Sequence, residues 1–471
     1  MNPRSFREYD IRGVADRDLD DETVRAIGIA VGIAAQGDGV YPKSQLPDVV
    51  VGRDCRLSSF RLFEALVDGL GWYANVLDIG VVPTPAVYFA AQHAAVKPAA
   101  SVMITGSHNP AEDNGFKIMV GSETLHGKAI ADLRDTVQKL IADRAAERMS
   151  VTPGRPRGTL NAFWIDRAYL DYAASKIRSG VRTCKVVVDA GNGSGGPFAI
   201  QLYRSLGHDV IPLYCDFDGR FPNHHPDPTQ PENLADLIEA VKREGAELGI
   251  ALDGDADRVG VVDARGRILW GDQLMILLGR AVLDEIPGAK FVGEVKCSQT
   301  MYDELAKAGG DVEMWKVGHS LIKARMKETG AQLAGEMSGH MFFAHRWLGF
   351  DDGIYAGARV LELICRQFTT LATLVDDLPI AINTPEIRID CPDDRKFDVV
   401  ASVRERLRAD VRVTNVVDID GVRARFENGW GLVRASNTQP ALVMRCEADT
   451  KERLAEIGDI MQAHIAHAQR S

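Results

Sequence analysis

The sequence predicts an α/β protein built from several mixed or parallel sheets, on three observations. Apolar, strand-like runs alternate with segments of helical period, the pattern of successive βα units. A Pro/Gly-rich stretch interrupts that alternation about a third of the way along the chain. A length of 471 residues, 45% hydrophobic and 26% charged, is ordinary for soluble globular domains and ample for several cores.

The elements follow in order. Val49–Gly52 reads as a strand before the helical Phe60–Leu70, and Ala99–Ile104 as a further apolar strand. From Gly127 to Arg148 the apolar residues Ile130, Leu133, Val137, Leu140 and Ile141 recur at helical spacing with few breakers. That helix runs into Met149–Gly158 (MSVTPGRPRG), the clearest linker of the sequence. Lys185–Asp189 then precedes the helical Pro197–Leu206, and Leu248–Leu252 is another apolar strand. A turn at Arg265-Gly266-Arg267 and the change from helical to β-like sequence at Leu378-Pro379 mark two further boundaries. The four expected units are therefore 1–152, 153–265, 266–378 and 379–471, each of normal domain size at about one hundred residues.

Composition excludes some functions. A formal net charge of -11 argues against a nucleic-acid binder, which would show a basic stripe. An anionic substrate must then be drawn in by a local cluster of Arg and Lys rather than by the whole field. The N-terminal MNPRSFREYDIRG lacks the apolar core of a signal peptide, and no run approaches the length of a membrane span. Seven scattered cysteines, never C-x-x-C, fit reduced thiols in a cytoplasmic protein rather than a disulfide framework or a zinc site.

Four segments carry chemistry. Thr105-Gly106-Ser107-His108-Asn109-Pro110 follows the strand Ala99–Ile104 and places a serine hydroxyl on a tight, exposed turn. Reactive groups concentrate on such loops, so Ser107 is a candidate nucleophile or phosphate carrier. Leu252-Asp253-Gly254-Asp255-Ala256-Asp257-Arg258 sets three carboxylates at i, i+2 and i+4, which repel one another unless a cation neutralises them. An EF-hand would need Gly at its sixth position and Glu at its twelfth, where this chain has Arg258 and Ala264. The carboxylates instead suit Mg²⁺, which takes few carboxylates and is shared with a phosphate. Gly335-Glu336-Met337-Ser338-Gly339-His340 offers acceptors and donors for sugar hydroxyls. Arg434-Ala435-Ser436-Asn437-Thr438 combines a guanidinium with small polar groups, a mixture suited to a phosphate.

In this order and spacing the four segments resemble those of the α-D-phosphohexomutases, in particular the bacterial phosphomannomutase/phosphoglucomutase group. The likeness extends over nearly the whole chain, through Phe6–Gly13 (FREYDIRG), Val51-Gly52-Arg53-Asp54, Pro83-Thr84-Pro85, Phe221-Pro222-Asn223-His224, Val317-Gly318-His319-Ser320 and Gly349–Gly353 (GFDDG). It implies three related mixed-sheet α/β domains and a smaller C-terminal α+β domain around a central cleft. It also implies reversible phosphoryl transfer between C1 and C6 of a hexose phosphate, glucose or mannose, through phosphoserine and a hexose 1,6-bisphosphate.

Roles carried over by the resemblance attach to named positions. Ser107 is the phosphate carrier and, with Asp253, Asp255 and Asp257, a ligand of one Mg²⁺ per chain. Lys117 and His319 are the candidate base and acid, Lys117 favoured because a lysine near a cationic metal should have a depressed pKa. Arg258 and Arg12 balance the equatorial oxygens of the moving phosphoryl group. Glu336, Ser338 and His340, with Tyr9, Lys296 and His319, face the sugar, and Arg434, Ser436, Asn437 and Thr438 hold the non-reacting phosphate. Met337 stands where amino-sugar mutases of the family carry Gln, which points away from that substrate. The expected partners are small-molecule hexose phosphates, with neither nucleic acid nor membrane, and the expected state is a monomer or weak dimer. A haloacid-dehalogenase-type phosphatase with Asp253 as nucleophile is the main rival reading, and it leaves TGSHNP and RASNT unexplained.

Overall fold

The structure, a computed structural model, describes residues 1–37, 45–143, 157–436 and 440–470. The chain forms four sheets and divides into two compact units, one formed by Met1–Leu274 with Ser338–Val375, the other by Met275–Met337 with Asp376–Ser471.

In the first unit, one sheet has the spatial order Ile11–Val14, Asp113–Val120, Ala100–Ile104, Asp48–Arg53, Asn75–Val81, Leu160–Ala162. Asp48–Arg53 is parallel to both its neighbours, whereas Asp113–Val120 runs antiparallel, so the sheet is mixed. Every residue of Ala100–Ile104 is buried, as expected for an apolar strand covered on both faces. The helices Asp21–Gln36 and Lys128–Ala142 pack against each other, and the apolar stripe read from Ile130, Leu133 and Val137 is the buried face of the latter. The stretch 144–156, which contains most of the expected linker and the end of the expected helix, lies outside the described residues.

The second sheet of this unit has the order Ile268–Leu269, Val259–Asp263, Leu248–Leu252, Lys185–Asp189, Asp209–Leu213, again mixed. The turn at Arg265-Gly266-Arg267 is present, but it joins two antiparallel strands of this one sheet. The helix Gly353–Arg366 packs on the same sheet and is almost wholly buried. Asp352 caps it by accepting the Tyr355 N–H at 2.8 Å.

In the second unit, Lys290–Glu294 lies between Asp311–Trp315 and Leu333–Gly335, parallel to both. The last sheet is antiparallel, with the order Ile382–Asn383, Ala441–Ala448, Gly429–Ala435, Val422–Phe426, Val413–Val417, and Ile387–Asp390 also pairs with Ala441–Ala448. The helices Lys396–Arg408 and Lys451–Arg470 pack on one another and on this sheet around a core that includes Val403, Leu442, Met444 and Ile457. The segregation of helices from an antiparallel sheet makes this part α+β, as expected. Among the described residues no helix is long and apolar enough to cross a membrane.

Candidate active site

Two hairpin tips build the centre of the first unit. The serine loop joins the antiparallel strands Ala100–Ile104 and Asp113–Val120, and the aspartate loop joins the antiparallel strands Leu248–Leu252 and Val259–Asp263. A connection between antiparallel strands is held at both ends by the ladder, which limits how far its side chains can wander.

Ser107 sits at φ +51 and Ala256 at φ +59, left-handed conformations that L residues adopt only when their surroundings hold them there. Thr105 Oγ1 accepts the Ser107 N–H at 2.8 Å, and Arg56 donates to the Ser107 carbonyl at 2.8 Å. Arg56 is itself held by Asp54, which also accepts the Gly106 N–H. The expectation of an exposed hydroxyl is corrected: Ser107 is only 1% exposed, because its Oγ donates to Asp253 Oδ2 at 2.9 Å. His108 Nδ1 lies 3.2 Å from the same Oγ. The loops touch through their backbones as well. A Cβ on Gly254 would come within 2.4 Å of the Ser107 carbonyl oxygen, so this approach requires glycine.

The three aspartates are fully buried, and their oxygens converge within 4.8 Å. Lys117, on the strand after the serine loop, bonds to Asp255 Oδ2 at 2.6 Å and also to Asp257 Oδ2. Thr84 Oγ1 donates to Asp255 Oδ2 at 2.5 Å, and the Thr84 N–H donates to the Asp255 carbonyl. Burial alone would raise the Asp255 pKa, but Lys117 and Thr84 outweigh it and hold that carboxyl below its usual range. Asp253 goes the other way: burial, then Asp257 and Asp255, push it far up.

Without a bound cation, burial lowers the Lys117 pKa, but the charges of Asp255 and Asp257 dominate and the ammonium is held above its ordinary value. The two carboxylates that are candidate cation ligands also grip this lysine.

Arg258 closes the aspartate loop, its N–H donating to Asp253 Oδ1 at 3.1 Å and its Nε to His340 Nε2 at 2.9 Å. That bond assigns the imidazole proton to Nδ1, which faces Asp351 Oδ2 at 3.2 Å and Asp257 Oδ1 at 3.5 Å. Gly353 packs against the same loop, and a Cβ there would meet the Arg258 carbonyl at 2.4 Å. Arg12 donates to Asp10 at 2.7 Å and to Asn109 Oδ1, beside the serine, at 3.1 Å. Tyr9 is buried next to Asp10, and Ser338 is half-buried two residues before His340.

The remaining candidates lie in the second unit. His319 opens the helix His319–Thr329, and the preceding Gly318 N–H donates to Glu336 Oε1 at 2.9 Å. Lys296 Nζ donates to Glu386 at 2.7 Å and lies 3.8 Å from Glu294. Glu294 accepts the backbone N–H groups of Lys296 and Met337, yet burial, with Glu336 adding to it against Lys296, pushes its pKa up to about 7. Arg434 is paired with Asp420 at 3.0 Å, and Asp420 also accepts the Val317 N–H at 3.0 Å. The Ser436 carbonyl accepts from Lys396 at 2.6 Å. Asn437 and Thr438 lie outside the described residues.

The structure adds groups that the sequence reading did not assign. Thr84 and Asp351 sit inside motifs already noted, PTP and GFDDG, and His108 inside TGSHNP. Glu294, Glu386 and Asp420 belong to no motif, and only their packing reveals them.

Models of phosphoglucomutase/phosphomannomutase α/β/α domains I, II and III match residues 3–144, 167–266 and 270–381, and the model of the C-terminal domain matches 386–463. The chain is 45% identical over 465 residues to a phosphomannomutase/phosphoglucomutase of Pseudomonas putida, covering 98% of this chain and 96% of that protein. It is 43% identical over 467 residues to a phosphoglucomutase of Neisseria gonorrhoeae, covering 98% and 96%. The crystal structure of a phosphoglucomutase/phosphomannomutase family protein from Burkholderia thailandensis matches with a TM-score of 0.88 at 40% identity, covering 99% of this chain and 98% of that one. The four domain models and the near-full-length relatives together place the chain in the phosphoglucomutase/phosphomannomutase family: it belongs to the α-D-phosphohexomutases and is an enzyme.

Proposed function

We propose that this chain interconverts hexose 1-phosphates and hexose 6-phosphates of glucose, mannose or both, carrying the phosphoryl group on Ser107 and passing through a hexose 1,6-bisphosphate. The supporting observation is a single one: the Ser107 hydroxyl, held at φ +51, reaches a carboxylate of a buried three-aspartate loop at 2.9 Å. The names of the relatives support the substrate class.

The carrier solves a geometric problem, because the two sugar hydroxyls point in opposite directions. The phosphoserine gives its group to the free hydroxyl, and the bisphosphate, bound the other way round, returns its second group to Ser107. Such transfer depends mainly on positioning and charge neutralisation. Lys117, bonded to both Asp255 and Asp257, is the first acid–base candidate. His319 is the second acid–base candidate. Arg12 and Arg258 flank the two loops and neutralise phosphoryl oxygens. Glu336, Ser338, His340, Tyr9 and Lys296 hold the sugar, and Arg434, Ser436, Asn437 and Thr438 hold its resting phosphate. In this reading the domains are 1–152, 153–265, 266–378 and 379–471, the compartment is cytoplasmic, and the state is monomer or weak dimer.

The residues present fit one Mg²⁺. Asp255 Oδ1 and Asp257 Oδ1 are buried without a hydrogen-bond partner, and burial, then Asp257 and Asp255, raise the pKa of Asp253, a cost that a hard cation relieves. Asp253, Asp255, Asp257 and an oxygen on Ser107 would hold it, and when bound it supplies neutralisation of phosphoryl charge.

Peptide mass spectrometry of the purified enzyme tests the carrier directly. Phosphate on Ser107 is expected, and Ser107→Ala should cut turnover by about 10⁴–10⁶-fold, the scale of removing a covalent nucleophile. Phosphate found instead as an alkali-labile acyl group on Asp253 would establish the phosphatase reading. Exhaustive chelation should remove activity and Mg²⁺ restore it; full activity without divalent cation counts against the aspartate site.

A further inference from the structure

We propose that Cys184 and Cys365 form a reversible disulfide, a modification site separate from the phosphoryl-transfer centre. Cys184 immediately precedes the strand Lys185–Asp189, and Cys365 lies in the last turn of the helix Gly353–Arg366. Although 181 residues apart in sequence, their sulfurs are 3.0 Å apart and share a hydrogen bond. Both are buried free thiols. Arg182, two residues before Cys184, is half-buried, donates to the carbonyls of Ile364 and Thr369 and pairs with Glu247, so it ties the end of the helix to the start of the strand.

With hydrogen peroxide as oxidant, one of the two sulfurs, as its thiolate, takes one oxygen to give a sulfenic acid and releases hydroxide. The other sulfur, 3.0 Å away, then attacks it and a water leaves, so two thiols and one peroxide give one disulfide and two waters.

A metal is the competing occupant, because His208 also lies within reach of both sulfurs. Two observations favour the disulfide. His208 Nδ1 already accepts the Cys184 N–H at 3.2 Å. The sulfurs are also closer than the roughly 3.8 Å that two tetrahedral Zn–S bonds of about 2.3 Å impose.

The cross-link would brace the scaffold of the aspartate loop. Lys185–Asp189 lies beside Leu248–Leu252, which leads into Asp253, and the Gly353 N–H at the other end of the bridged helix donates to the Ala256 carbonyl at 3.0 Å. Closing so long a loop restricts the unfolded chain strongly.

The test uses the full-length protein treated with hydrogen peroxide, alkylated, and mapped without reduction. A linked pair of peptides containing Cys184 and Cys365 is expected, lost on adding dithiothreitol and absent from Cys184→Ser and Cys365→Ser. The unfolding midpoint of the wild type should rise by several degrees on oxidation and stay fixed in both variants. Should both residues remain alkylatable under conditions that oxidise the half-buried Cys55, the proposal is overturned. It is equally overturned by a metal ion that native mass spectrometry finds on the wild type and that both variants lose. The peptide map of the wild type decides even if a variant fails to fold, and it is independent of the mutase reading.

Discussion

Each compact unit buries a lysine between carboxylates, and the two differ in what is left over. Lys117 is gripped by Asp255 and Asp257 of one short loop, all three groups at most 3% exposed. Each aspartate still keeps one buried oxygen that accepts no hydrogen bond. Lys296 is held by Glu386 and, more loosely, by Glu294, which come from well-separated parts of the chain. There Glu294 is satisfied by two backbone N–H groups, and the Glu386 side chain is 26% exposed. The first arrangement has negative charge in excess of its partners, and the second is nearly self-satisfied. Excess buried charge is costly unless something neutralises it, and the first arrangement is the one whose three aspartates could hold a metal ion. The second fixes the loops that follow Glu294 and Gly335 without needing one.

Removing the lysines should expose this difference most strongly. Lys117→Met strands two buried carboxylates and is expected to cost about 3–5 kcal/mol of stability. Added Mg²⁺ should restore much of that loss if the loop is a cation site. Lys296→Met should cost about 1–2 kcal/mol and show no Mg²⁺ response, because Glu386 can turn to water and Glu294 can take up a proton. Thermal melts of both variants with and without Mg²⁺ check the pair; an equal Mg²⁺ response in both would erase the distinction.

Arg434 tests whether the second unit holds the resting phosphate. Arg434→Ala should weaken use of hexose 1-phosphate and hexose 6-phosphate alike, by about 1.5–3 kcal/mol in kcat/KM, while leaving the phosphoserine intact. A loss confined to one substrate would mean that two separate sites hold the resting phosphate.

The last effect concerns pH. Glu294 has its pKa raised from 4.5 to about 7, so the folded state binds a proton there that the unfolded chain has released. Its contribution is fully present below about pH 4.5 and is lost as pH rises through about 7, a fall of roughly 3 kcal/mol across that window. Glu294→Gln keeps a neutral side chain at all pH and should flatten this slope in denaturant titrations. An unchanged slope would show that Glu294 stays ionised and that the second unit also holds excess charge.

The sequence by itself determined the elements and the loops. Lys185–Asp189 and Leu248–Leu252 are strands with the bounds read from their apolar runs, and the helix beginning near Phe60 spans Ser59–Leu70. TGSHNP and DGDADR stand where strands end, and the family resemblance they carried is the family the chain belongs to. These features are local, because propensity, periodicity and turn chemistry act between residues near one another in sequence. Tertiary structure decided the environments. Ser107 is buried because Asp253, 146 residues away, accepts its hydroxyl. Lys117 holds its proton because Asp255 and Asp257 reach it across 138 and 140 residues. No periodicity reports Thr84 on Asp255, Asp420 on Arg434, or Cys184 against Cys365. A side chain's burial and charge partners depend on how separate segments pack, and the free energy of those contacts exists only once the chain has brought them together.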